Sequence, residues 1–172
     1  MNIFEKEIEI KFRVNDKLGS KLENLNLESH EEIDEYFFST ENVGKDLYLR
    51  FRKKKGKIIL TLKNVIIGGT DVDIYESEET SIELTDEQYE KMKRIFDTVF
   101  PIKFQVKKLR KRGNYKDCEI CHDIVEGLGE FFEIEGSREK INELRKEFEI
   151  DDDLVDREKG YVVMTLKKMG LL

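Results

Sequence analysis

The chain counts 172 residues and 20.4 kDa, near the size of one compact domain, so a single domain over 1–172 is expected. Its 31 basic against 38 acidic residues leave a net charge of −7, which speaks against nucleic acid as a partner, because non-specific binding there draws on basic groups that displace counterions. Charged residues make up 40% of the chain, yet it has one proline and short alternating runs of Ile, Leu, Val and Phe, which exclude disorder; no apolar run is long enough to span a bilayer, so no membrane partner is expected.

The opening MNIFEKEIEI carries charge from Glu5 onward and lacks the apolar core of a secretory signal, so a cytoplasmic location is expected. Its continuation, EKEIEIKFRV, reads as a strand with Glu7, Glu9, Lys11 and Arg13 on one face and Ile8, Ile10, Phe12 and Val14 on the other. A short helix is predicted from Asp16 to about Leu25, where Leu18, Leu22 and Leu25 form one stripe. After a polar stretch come the strands DEYFFST, DLYLRFRKK and KIILTLKNV, the last two joined at Lys54, Lys55 and Gly56 as a hairpin. Arg50 and Arg52 share a face in one arm, and Lys63 lies in the other. Gly68 and Gly69 interrupt the pattern before SEETSIEL, whose polar face is Glu79, Ser81 and Glu83.

Thr85 and Gln88 form a capping box for a helix to about Val99, stopped by Pro101. FQVKKLRKR follows as a basic strand with Lys108, Arg110 and Arg112 on one face, turning near Gly113 and Asn114 into DCEICHDIV. The C-x-x-C-H spacing of Cys118, Cys121 and His122 is that of haem attachment, but a strand sends the two thiols to opposite faces, and two ordinary reduced cysteines are expected. A zinc site would need four ligands, and His30 is far away in sequence. Gly127 and Gly129 precede EFFEIEG; their spacing is not that of a dinucleotide loop. Ser137 caps a helix to about Phe148, and a last helix is predicted from Tyr161 to Lys168.

About eight strands joined by hairpins suggest an antiparallel meander. Each strand is sorted by sign of charge. Cross-strand salt bridging on an outer surface accounts for such pairs. So does a closed barrel whose helices pack outside against the apolar face, leaving the charged face to line the lumen. Cations and carboxylates in one lumen suit a polyphosphate with a hard divalent metal, Mg²⁺ or Mn²⁺.

The ordered set Glu7-x-Glu9-x-Lys11, the LRFR pair Arg50 and Arg52, Lys63 of TLK, the pair Lys108 and Arg110, and the segment DIVEGLGEFFEIE resembles the CYTH superfamily of triphosphate tunnel metalloenzymes. The closing segment, Asp123 to Glu135, is similar to the signature of the class IV adenylyl cyclase branch. The resemblance implies an α+β fold, an eight-stranded antiparallel tunnel with helices outside. It implies a triphosphate held by Lys11, Arg50, Arg52, Lys63, Lys108 and Arg110, metal on Glu7, Glu9, Glu79, Glu133 and Glu135, and Lys11 and Asp123 near the chemistry. Lys11 is alternatively an orienting group for a carboxylate or the leaving group. Ser81 stands where the family commonly has a second glutamate. The implied reaction is conversion of ATP to cyclic AMP and pyrophosphate; hydrolysis of tripolyphosphate or another triphosphate on the same fold is the alternative, and a non-catalytic polyphosphate or nucleotide binder the third. Apolar strips on a barrel exterior leave room for a homodimer.

Overall fold

The computed structural model describes residues 5–43, 45, 47–66, 73–158 and 160–172; Asp46 and the glycines 68 and 69 lie outside them. Eight strands form one closed antiparallel barrel: β1 (Glu5–Arg13), β2 (Glu28–Phe38), β3 (Leu47–Lys54), β4 (Lys57–Ile66), β5 (Tyr75–Leu84), β6 (Ile102–Tyr115), β7 (Cys118–Val125) and β8 (Gly129–Glu135). Their order around the barrel is β1-β5-β4-β3-β2-β6-β7-β8. Two meanders, β2 to β5 and β6 to β8, are therefore joined side by side through β2 and β6 rather than forming one continuous meander. Closure falls to β1, whose first half pairs with β5 from Glu5↔Glu79 to Glu9↔Tyr75 and whose second half pairs with β8 from Glu9↔Glu135 to Arg13↔Phe131.

The hairpin turns follow from local chemistry. Lys55 and Gly56 both take positive φ, 47° and 74°, between the paired Lys54 and Lys57, the two-residue geometry that matches strand twist. The β6–β7 turn lies at Lys116 and Asp117, at φ 48° and 64°, not near Gly113 and Asn114 as the sequence suggests. Gly113 serves packing instead: a Cβ there would stand 2.8 Å from a Leu27 methyl and 3.2 Å from the Asn26 carbonyl oxygen.

Helices α1 (Asp16–Leu22) and α3 (Arg138–Glu147) cover the outer face of β1, β7 and β8, burying Ile10, Phe12, Ile120, Phe132 and Ile134 against Leu18, Leu22, Ile141 and Leu144. Helix α1 stops three residues short of the predicted Leu25. Helix α2 (Asp86–Val99) starts from the Thr85–Gln88 capping box and covers the opposite wall, where Tyr89, Met92 and Phe96 pack on Phe37, Phe51 and Leu60. Helix α4 (Tyr161–Lys168) is placed differently. Its Tyr161, Val162, Met164 and Leu166 meet Tyr36, Phe38, Tyr48, Val106, Val125 and Phe131, residues that share the inward face of their strands, so α4 seals one end of the lumen with an apolar plug. No helix among the described residues is long and apolar enough to cross a membrane.

Candidate functional site

With the apolar faces of β1, β7 and β8 turned to α1 and α3 and those of β2, β3 and β4 turned to α2, two-residue alternation sends the charged faces of these strands inward. Beyond the plug the lumen is a cavity of about 400 Å³. Its wall carries Glu7, Glu9, Lys11, Arg50, Arg52, Lys63, Glu79, Lys108, Arg110, Glu133 and Glu135, brought together from β1, β3, β4, β5, β6 and β8. Asp123 of the predicted set does not reach the cavity surface.

Burying so many charges is tolerable only where each is paired and hydrogen-bonded. On β2, Asp34 is fully buried and takes two bonds from Arg52, 2.6 and 2.8 Å, with Lys108 at 3.6 Å and Arg50 at 3.9 Å. Burial pushes the Asp34 carboxyl up, but Arg52, Lys108 and Arg50 outweigh it and hold the group well below the usual carboxylate range. Glu32, one pleat along, accepts from His30 at 2.9 Å and stands 3.4 Å from both Arg52 and Lys108. Against burial, Arg52, Lys108 and Arg110 bring its pKa down to about 2.

Asp123 sits behind the wall. It accepts two bonds from Arg110, 2.7 and 2.5 Å, and one from the Tyr161 hydroxyl at 2.9 Å. The Tyr161 ring lies 4.0 Å from the Lys11 ammonium and 5.2 Å from that of Lys108, so the plug also meets the lumen cations. Glu133 accepts from Lys11 at 2.8 Å and Arg110 at 2.5 Å. Arg50 is held loosely: Asp34 and Glu79 are 3.9 and 3.7 Å away, and its buried Nε has no hydrogen-bond partner among the described residues. A buried guanidinium with an unused donor is suited to an incoming anion.

On the opposite wall Lys63 lies 2.9 Å from Glu7, 3.0 Å from Glu79 and 3.9 Å from Glu9. Burial pushes its ammonium down, and Glu9, Glu79 and Glu7 more than offset that, so it stays charged. Glu119, Glu135 and Glu9 stand abreast on β7, β8 and β1. Burial, together with Glu7, Glu119 and Glu9, pushes Glu135 up to about 7. The donors here fit a hard cation: all are carboxylate oxygens, and three of them already converge on one positive charge, that of Lys63. In this arrangement no three His, Cys, Asp or Glu groups among the described residues stand where they could hold one metal ion.

A family model described as the CYTH domain matches residues 5–159. The chain belongs to the CYTH family. As a CYTH protein it is a triphosphate-processing enzyme. It is 32% identical over 151 residues, 83% of each chain, to a Methanocaldococcus jannaschii protein named Putative adenylate cyclase MJ0240. Among solved structures it resembles a conserved hypothetical protein of Pyrococcus furiosus, with a TM-score of 0.74, 26% identity and coverage of 92% of this chain and 98% of that one. It shares its fold with HpAC1 of Hippeastrum, described as a putative adenylyl cyclase with a dominant triphosphatase activity, at a TM-score of 0.60 and 17% identity over 96% and 97% of the two chains.

Sequence reasoning missed the acids of β2. Glu32 and Asp34 knit together four of the cations assigned to the triphosphate, yet neither was singled out from the sequence. The available signal was an i, i+2 acid pair leading into Tyr36 and Phe38 in phase with them. Ser81 faces the lumen and shares a 2.8 Å hydrogen bond with Thr61, while Glu83 is exposed on Lys57, so the middle strand offers one lumen glutamate, Glu79. Cys118 lies in the outer core and Cys121 on the lumen, on opposite faces as strand alternation dictates. Burial pushes the Cys121 thiol up to about 12, which makes it a poor nucleophile.

Proposed function

We propose that this CYTH protein is a class IV type adenylyl cyclase that takes ATP and a divalent metal, Mg²⁺ or Mn²⁺, in the barrel lumen and forms cyclic AMP and pyrophosphate. The observation that carries a triphosphate in the lumen is the convergence of eight cations and seven glutamates on one cavity wall, among them the six cations and five glutamates named from the sequence. The 32% identity to a protein named as an adenylate cyclase supports the cyclase reading, and Tyr36, Tyr48, Tyr75 and Val65, on the same wall, offer apolar surface for a nucleoside.

In this reaction the ribose 3′ oxygen attacks the α-phosphorus, the bond to pyrophosphate breaks with its electron pair leaving on the pyrophosphate oxygen, and the proton of the 3′ hydroxyl passes to solvent water. Arg50, Arg52, Lys108 and Arg110 bind the phosphate oxygens and hold the chain in line. Asp34 and Asp123 act one step removed, fixing Arg52 and Arg110. Lys11 orients Glu133. Glu7, Glu9, Glu79, Glu133 and Glu135 would hold the metal, which when bound neutralises charge developing on the phosphate oxygens.

Hydrolysis of tripolyphosphate is the second reading. HpAC1, which shares the fold, is itself described as having a dominant triphosphatase activity, and a lumen so crowded with cations suits the anion whether or not a nucleoside is attached. A product assay with ATP and, separately, tripolyphosphate, each with Mg²⁺ and with Mn²⁺, decides. Cyclic AMP with pyrophosphate is the expected result; orthophosphate from tripolyphosphate without cyclic AMP would assign the chain to the triphosphatases.

A further inference from the structure

Lys63 answers to two descriptions. As a lumen cation it belongs to the triphosphate, yet its ammonium sits among Glu7, Glu79 and Glu9, at 2.9, 3.0 and 3.9 Å, on oxygens assigned to the metal. Register explains the placement: Lys63 is directly opposite Glu79 on β5, and Glu7 reaches it from β1. Arg50 approaches Glu79 to 3.7 Å from the other side, so that glutamate faces two cations, while Glu135 and Glu119 stand beyond Glu9 on the neighbouring strands. A divalent ion added to these oxygens with Lys63 still seated would stand beside its ammonium, and in a lumen only partly open to water Coulomb repulsion opposes that.

We propose that Lys63 decides the order of assembly: its ammonium fills the cation position of the carboxylate cluster in the free protein, and the divalent metal enters that position only when a triphosphate draws Lys63 away. This rests on the reading that metal and triphosphate share the lumen. The triphosphate supplies Lys63 with new acceptors, and the vacated carboxylates supply the metal with donors, so each ligand raises the affinity for the other by the same factor. Lys63 is thereby a specificity-determining residue that keeps free metal out.

The test is Mn²⁺ binding to the whole protein without turnover, followed by electron paramagnetic resonance of free Mn²⁺, for wild type, K63M and K63Q. With Mn²⁺ alone both variants are expected to bind at least about tenfold more tightly than wild type. Binding no tighter than wild type in either folded variant overturns the proposal; K63Q, which keeps a polar head, serves should K63M not fold. Water proton relaxation with Mn²⁺ and tripolyphosphate separates the two levels. Enhancement on adding wild-type protein, with no tightening in the variants, overturns the role of Lys63 alone. No enhancement and no Mn²⁺ binding by any form overturns the shared lumen, and with it this proposal.

Discussion

Asp34 and Arg52 face each other across β2 and β3 in a two-point contact, Nε to Oδ1 at 2.6 Å and Nη2 to Oδ2 at 2.8 Å, with Asp34 sealed from solvent. The same carboxylate stands within 4 Å of Arg50 and Lys108, so three cations lose their shared counter-charge if it is removed. D34A is expected to cost about 3–5 kcal/mol in urea unfolding, the range for breaking a buried ion pair from one side. An unchanged midpoint would show that the lumen cations do not need this acid.

Glu32 gives the lumen a pH signature. Its pKa is about 2 in the fold against an ordinary 4.5, so between those values the unfolded chain binds the extra proton. Its contribution is present above about pH 4.5 and is lost as pH falls through about 2, and over that shift it is on the order of 3 kcal/mol. E32Q should therefore be less stable than wild type at pH 7, with the gap closing in acid. Parallel stability curves for the two proteins from pH 7 to pH 2 would contradict the assignment.

Glu133 receives both Lys11 and Arg110 and is one of the glutamates proposed to hold the metal. E133Q keeps an acceptor oxygen and removes the charge, so the fold should persist while metal-supported turnover falls more than about 100-fold, beyond the loss usual for groups that only support a ligand. A metal titration distinguishes the cause: the variant should require more Mn²⁺ for half-activation, whereas equal metal demand would place Glu133 outside the metal site.

Gly113 lies in β6 under Leu27, and an added methyl would stand 2.8 Å from a Leu27 carbon. G113A is expected to lower stability by about 1–3 kcal/mol through overpacking, with the substrate dependence of turnover unchanged because the added methyl points out of the barrel, toward Leu27. Thermal unfolding and a substrate titration check both halves.

The legible parts of the fold were strands with clean alternation. In β1, Ile8, Ile10 and Phe12 against Glu7, Glu9 and Lys11 fix both faces, and β3, β4, β6 and β8 read as plainly. The first six residues of β2, ESHEEI, did not, because a strand with a charged lumen on one side and solvent on the other has little apolar signal: Glu31 is exposed while neighbouring Glu32 is buried. Sheet order was hidden for another reason. The β2–β6 pairing joins residues 64 to 84 positions apart, such as Glu32 and Lys108, and no local pattern records it. The end plug was illegible because Tyr161 to Lys168 reads as an ordinary amphipathic helix whichever surface it covers.

The strand that closes the barrel is the first in the chain. β1 needs β5 for one half of its hydrogen bonds and β8, about 120 residues away, for the other. Such long-range pairing slows folding, since loop closure must precede the contacts that reward it. Glu7, Glu9 and Lys11 lie on that strand, so a chain emerging from the ribosome carries these side chains early but cannot assemble them into a lumen until β8 is made. The site should appear all at once, late in folding, and an incomplete chain should trap neither metal nor polyphosphate.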